Sequence, residues 1–411
     1  MSGNRKSQRE DDPLFSDKNI AQVARGVEAV SQRTMQAWII ERDNHGRPDT
    51  AFRQATVDIP DCGDDDVIVQ VKAAGVNYNG VWAALGEPVS VFDFVEEDFF
   101  IAGSDMSGVV WKVGKNVTRY KVGDEVIAHC SQIDFSDPEC LGGDPMLSKS
   151  QKIWGYESNY GAFAQLARVQ KTQLLKKPAH LTWEESAGYL LCLATAYRML
   201  FGHAPHILKP DSAVLIWGAA GGLGSYALQL CNLVGAKAIA VVSSDQRADY
   251  VKTLGAHAII RRDNYECLQS QCAPMTDGYE DWIKSCSKFK RDIATLSGKR
   301  AGVDIVFEHP GRVTFPVSAY CAAPGGMIVF CAATTGFDLN FDARYVWMRQ
   351  KRIQGSHFAN YKECAAVNEF VADRRISPCI SDIFNWEDLP MAHQRMFENV
   401  HLPGGMVIRV G

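Results

Sequence analysis

No stretch of the sequence approaches the roughly eighteen consecutive apolar residues that a membrane-spanning helix requires. Residues 1–15 are charged and lack the apolar core of a secretory signal. Cys-x-x-Cys pairs are missing too; the closest cysteines are Cys267 and Cys272, then Cys130/Cys140 and Cys321/Cys331. These spacings define neither a zinc site nor a redox motif. Cys192 and Cys231 stand in apolar runs, as small core residues do. A disulfide framework is therefore not expected, and a cytoplasmic setting is. Excess basic charge is also absent. With 43 Lys and Arg against 48 Asp and Glu the net charge is −5, without the footprint that nonspecific nucleic-acid binding needs. Internal repeats and low-complexity blocks are missing.

What is present is an ordinary globular composition. The chain has 411 residues, 46% hydrophobic and 22% charged, a length that predicts two to three domains at ~150 residues each. Residues 1–34 are polar with weak helical spacing at Ile20, Val23, Val27 and Val30, and read as a tail or docked helix. Short apolar runs at 37–40, 67–71 and 108–113, punctuated by turns at 114–116 and 122–125, predict a small β-barrel. Residues 134–150 read as a surface loop.

From Thr182 the pattern changes. Thr182 and Glu185 form a capping-box pattern opening an apolar helix that reaches Leu200. Strands at 213–217, 238–242, 257–260, 303–307 and 327–331 alternate with helices at 222–234 and 246–254. That alternation predicts a doubly wound α/β domain over 184–354. Residues 35–183 and 355–411 make up the other domain, interrupted by it.

The first of these strands runs into Gly218-Ala219-Ala220-Gly221-Gly222-Leu223-Gly224, which opens a helix. Glycines admit a pyrophosphate to the backbone, and the helix terminus offers free N–H groups. The loop alone is weak; the strand before it and the helix after it make it a dinucleotide site. Gly218, Gly221, Gly222, Leu223 and Gly224 are its candidate contacts. The second strand leads to Ser243-Ser244-Asp245-Gln246-Arg247. Small hydroxyl residues followed by a cation suit a 2′-phosphate, so Ser243, Ser244 and Arg247 point to NADPH over NADH. Asp245 could instead accept a ribose hydroxyl, or cap the helix.

A barrel followed by a dinucleotide domain resembles the medium-chain dehydrogenase/reductase superfamily, with a GroES-like catalytic domain and a Rossmann domain. Zinc-dependent members carry a Cys and a His-Glu pair in the first domain. Here those positions hold Asn77 and Ser104-Asp105, and the structural-zinc cysteine cluster is missing. The resemblance implies a zinc-free reductase of conjugated double bonds, with no metal ligands.

Within that branch, the segments 77–82, 87–90, 153–157, 307–312 and 355–360 resemble crotonyl-CoA carboxylase/reductases over most of the chain from residue 35. Such enzymes reduce an enoyl-CoA with NADPH and add CO2 at the α carbon, giving an alkylmalonyl-CoA. The family's CO2-binding quartet falls on Asn77, Tyr156, Glu157 and His357, with Tyr where Phe is common. The stretch between Phe94 and Ile101 is shorter than usual. The resemblance implies an acyl-CoA substrate, CO2 and a homo-oligomer, with neither nucleic acid nor membrane as partner.

Taken singly, each of the four has a plainer reading. Asn77 would be a turn residue, Glu157 a surface carboxylate, His357 a structural imidazole and Tyr156 core. Arg344, Arg349, Lys351 and Arg352 form a cationic cluster suited to phosphates, or to a solvated helix face. Two other activities fit the same residues less fully. One is NADPH-dependent reduction of an enoyl-CoA or quinone without carboxylation; the other is nucleotide binding without catalysis.

Overall fold

A computed structural model describes residues 33–269, 272, 276–299 and 301–410. The tail or helix expected at 1–34 lies outside these except for Arg33 and Thr34, and Thr34 opens the strand Thr34–Glu41. That strand lies between Arg53–Asp58 and Phe99–Phe100 in a small sheet. The larger barrel sheet is built around Asp66–Val76, a near-continuous apolar run whose residues are mostly buried. Met106–Val113, Leu166–Gln170 and Gly405–Arg409 all pair with it antiparallel. The last of these comes from the far end of the chain.

Six parallel strands form the second sheet. Their order is Ala258–Arg261, Lys237–Val242, Ala213–Ile216, Val303–Glu308, Ala322–Phe330 and Arg352–Gly355. This is a doubly wound order, and it reverses direction between the third and fourth strands of that sequence, where α/β folds open a crevice. Ala213–Ile216 is buried at every position, the signature of a strand covered on both faces.

Two readings of the sequence need correction. The helix expected to run from Thr182 to Leu200 is two helices, Trp183–Ala187 and Leu190–Phe201, broken at Gly188-Tyr189. The capping box is present at the first, but glycine and an uncapped second start redirect the chain. The 134–150 loop carries a short helix, Pro138–Gly142, started by an Asp137 cap with proline at its first turn.

A backbone bridge ties the barrel to the glycine loop. Gly404, just before the strand Gly405–Arg409, pairs with Gly221 of the glycine loop and donates its N–H to Ala220 O at 2.9 Å. Two strand positions later, Met406 pairs with Val76, the residue before Asn77.

Candidate active site

A cleft of about 520 Å³ lies at the strand-order reversal, within the usual size range of small-molecule sites. One wall is the glycine loop with the ends of the parallel strands. The other comes from the barrel, with Asn77, Tyr78, Trp82 and Ile153, together with His357 and Phe358.

The cofactor wall is mostly backbone. The helix Gly222–Val234 has no side-chain cap, so its first N–H groups face the cleft unsatisfied, an anion site by construction. Gly218 has φ of +53°, and a Cβ there would lie 2.6 Å from His309 Nε2. At Gly224 a Cβ would meet Gly218 O at 2.5 Å and Ala219 Cα at 2.6 Å, so this glycine holds helix against loop. Gly218, Gly221, Gly222 and Leu223 line the cleft, whereas Gly224 acts behind them. His309 also lines it; Nε2 bonds Trp217 O at 3.0 Å, and because a carbonyl only accepts, Nε2 carries the hydrogen. Burial pulls the His309 pKa down to about 4, so the ring is neutral.

At the end of the second strand, Ser243 and Arg247 line the cleft. Ser244 does not: its hydroxyl accepts from Arg247 N at 3.2 Å and caps the helix Asp245–Thr253. The helix cap is therefore Ser244 rather than Asp245, and the Asp245 carboxylate ion-pairs with Arg261. The sequence reading missed Arg262, which follows the third strand and lines the cleft with Arg247. Desolvation first, then the Arg262 charge, lowers the Arg247 pKa. Arg247 also donates to His401 O at 3.3 Å, and Arg262 stands 3.7 Å from Asp263. Two mutually repelling cations at the cleft favour an anion beside them. The Arg261-Arg262 pair at the end of an apolar strand was the available signal. Uncapped helix, close-packed glycines and paired arginines together fit a phosphorylated dinucleotide.

On the barrel wall, Asn77 opens the helix Tyr78–Leu85, and its Oδ1 accepts from Asn79 N at 3.2 Å. That bond fixes which way the amide faces. Its Nδ2 is buried and has no hydrogen-bond partner, a cost of about 1–3 kcal/mol unless something fills the vacancy. Tyr156 is buried, and its hydroxyl donates to Glu87 O at 2.8 Å and to Val89 O at 3.1 Å. The extra oxygen is thereby committed to the loop at 87–89, and Tyr156 does not line the cleft. Glu157 accepts from Ile153 N at 2.7 Å, and it too stands behind the lining residues. His357 does line the cleft. Burial lowers its pKa, while the nearby Glu157 carboxylate acts to raise it. Phe358 beside it has φ of +42°, a strained value for an aromatic residue. Its buried ring stacks on His129 at 6.2 Å and holds the turn that presents His357.

The cationic cluster at 344–352 disperses. Arg344 pairs with Asp342, and Lys351 Nζ donates to Ala319 O and Tyr320 O. Arg352 donates to Ala204 O. None of these residues lines the cleft. Ser104 and Asp105 are buried, and among the described residues no three His, Cys, Asp or Glu side chains gather as a metal site.

Two family models match the chain: an alcohol dehydrogenase GroES-like domain over residues 63–179 and a zinc-binding dehydrogenase over 222–373. The crotonyl-CoA carboxylase/reductase of Cereibacter sphaeroides is 53% identical over 378 residues, covering 92% of this chain and 88% of that protein. The chain belongs to the crotonyl-CoA carboxylase/reductase family. A family member from Streptomyces avermitilis, a crotonyl-CoA reductase, is 41% identical over 84% of this chain and 79% of its own. Among solved structures, the crotonyl-CoA carboxylase/reductase AntE in complex with NADP superposes with a TM-score of 0.87 at 42% identity, covering 93% and 96% of the two chains. The 2-octenoyl-CoA carboxylase reductase CinF, in complex with NADP and 2-octenoyl-CoA, gives 0.83 at 35% identity over 95% and 90%. The family is thus a medium-chain dehydrogenase/reductase lineage with the two-domain fold seen here.

Proposed function

We propose that the protein performs NADPH-dependent reductive carboxylation of an α,β-unsaturated acyl-CoA, such as crotonyl-CoA or a longer enoyl-CoA, to an alkylmalonyl-CoA. The observation that carries this reading is the buried, unbonded Nδ2 of Asn77 on the wall of a dinucleotide cleft. NADPH, when bound, supplies a hydride for the β carbon of the thioester. The uncapped helix start at Gly221–Gly224 would hold its pyrophosphate, and Ser243, Arg247 and Arg262 its 2′-phosphate end.

The remaining chemistry belongs to side chains. Negative charge that reaches the substrate's α carbon and then a CO2 oxygen needs a donor that is not an acid, since an acid would protonate the carbon. The Asn77 amide meets both conditions. His357, its pKa lowered by burial and its position held by the Phe358 turn, offers a second polar contact on the same wall. Glu157 orients from behind, and Tyr156 closes the wall against bulk water.

The twelve cysteines are free thiols, the state a reducing compartment maintains, which supports a cytoplasmic placement. Among the described residues no helix is long and apolar enough to cross a membrane. The outermost strand Arg352–Gly355 has one unpaired edge, which supports a homo-oligomer joined there, a dimer or tetramer. A product of this type suits primary carbon assimilation or a polyketide extender unit.

Labelled bicarbonate with carbonic anhydrase, NADPH and crotonyl-CoA tests the reading. Labelled ethylmalonyl-CoA is expected; unlabelled butyryl-CoA as the sole product overturns it in favour of simple reduction.

A further inference from the structure

Ser104 and Asp105 take no part in the chemistry described so far, yet both are buried, at 0% and 2% exposure. Ser104 Oγ accepts from Asn79 Nδ2 at 3.2 Å. Asn79 in turn donates its backbone N–H to Asn77 Oδ1, so Ser104 is one bond removed from the Asn77 amide. On its other side, Asp105 Oδ2 accepts from Leu191 N at 3.2 Å. Leu191 lies in the first turn of the helix Leu190–Phe201, whose own cap position, Tyr189, supplies no side-chain bond. That helix presents Leu191, Cys192 and Thr195 to the cleft, with Cys192 Sγ 3.4 Å from where a Cβ on Gly222 would stand.

Asp105 Oδ1 has no partner at all. Desolvation raises its pKa well above the usual carboxylate range, with the Leu191 N–H acting against it, and the carboxyl serves as a hydrogen-bond acceptor. A buried polar group kept at this cost needs a reason. Its backbone supplies a further tie, since Asp105 O accepts from Gly75 N at 2.9 Å, two residues before Asn77.

We propose that Ser104 and Asp105 form a clasp that fixes the Asn77 amide relative to the helix facing the glycine loop, and so sets the partition between carboxylation and simple reduction. They are positioning residues, and the proposal rests on the reading of Asn77 given above. The hydride step depends on the cofactor wall, which the clasp touches only through Leu190–Phe201. Capture of CO2 depends in addition on where one amide N–H points. Loosening the clasp should therefore degrade the second more than the first.

Product ratios under saturating crotonyl-CoA and NADPH, with the apparent KM for CO2, test this. Ser104→Ala should lower the ratio of carboxylated to reduced product by roughly fivefold and raise the KM for CO2, with NADPH oxidation within about threefold of the parent. Ser104→Thr, which keeps the acceptor, should restore the parent ratio. Asp105→Asn keeps an acceptor for Leu191 N and should behave like the parent, whereas Asp105→Ala should behave like Ser104→Ala. If Asp105→Ala does not fold, the Ser104 pair and Asp105→Asn decide. The proposal is overturned if folded Ser104→Ala retains the parent ratio, or if Asp105→Asn loses it. A parent enzyme that yields no carboxylated product would instead overturn the assignment of function, a result visible before any variant is made.

Discussion

The two walls of the cleft are built on opposite plans. The cofactor wall is centred on one continuous stretch of chain, 217–224, which works through backbone N–H groups and places where no Cβ fits, with Ser243, Arg247 and Arg262 added at one end. The barrel wall gathers single side chains from turns near 77 and 357, and its key feature is an amide hydrogen with nothing to bond. A backbone site tolerates almost no change of shape but is indifferent to side-chain chemistry. A side-chain site is the reverse, so the two should fail differently.

The strongest challenge to this contrast is Gly224→Val. Its branches enter a space where even a Cβ approaches Ala219 Cα at 2.6 Å. A loss of about 3 kcal/mol in stability and of measurable NADPH binding is expected, by thermal melt and fluorescence titration. Asn77→Leu should leave NADPH binding intact and lower the melting temperature only by the loss of one helix cap, about 1 kcal/mol, while the carboxylated fraction falls roughly tenfold or more. If Asn77→Leu instead abolished cofactor binding, the walls would not be separable. Within the cofactor wall, Arg262→Ala should weaken NADPH roughly tenfold and leave NADH unchanged, because only the former carries the phosphate.

Acid stability probes each wall through one histidine, His309 on the cofactor side and His129 behind Phe358. Burial pulls both from 6.5 to about 4. The unfolded chain then binds more protons over that interval, so stability present above pH 6.5 is lost as pH falls towards 4. Glu308, raised by burial to about 7, and Asp105, also raised by burial, oppose this. The Glu308 contribution is full below 4.5 and lost as pH rises through 7. A third buried histidine, His393, pulled to about 4, adds to the acid loss. The urea midpoint should fall between pH 6.5 and about pH 5, and His129→Gln should make that fall shallower. The smallest effect belongs to Tyr156→Phe. Its hydroxyl bonds only loop carbonyls, so about 1 kcal/mol of stability is expected to go, with the product ratio unchanged.

The same contrast explains what could be read in the sequence. Gly218–Gly224 was legible because a strand, a glycine pattern and a helix start are local, and the fold order followed from their alternation. Asn77 and His357 were legible only through resemblance, since nothing local marks an amide left unbonded across a cleft. Arg262 was overlooked because it stands one strand beyond the expected hydroxyl-and-cation run. Ser244 was placed in the site by proximity, while its capping bond takes it out. The break at Gly188-Tyr189 was hidden by an apolar run that reads equally well as one helix or two.

The bridge between Gly221 and Gly404 has a consequence for how such an enzyme can diversify. From the glycine loop the path runs through Gly404 to Met406, across to Val76, and so to Asn77, by main chain and ladder pairing alone. The spacing between the cofactor loop and the Asn77 amide is therefore independent of the side chains that line the cleft between them. Those side chains are free to drift, or to be redesigned for bulkier substrates, while the reacting centres keep their separation.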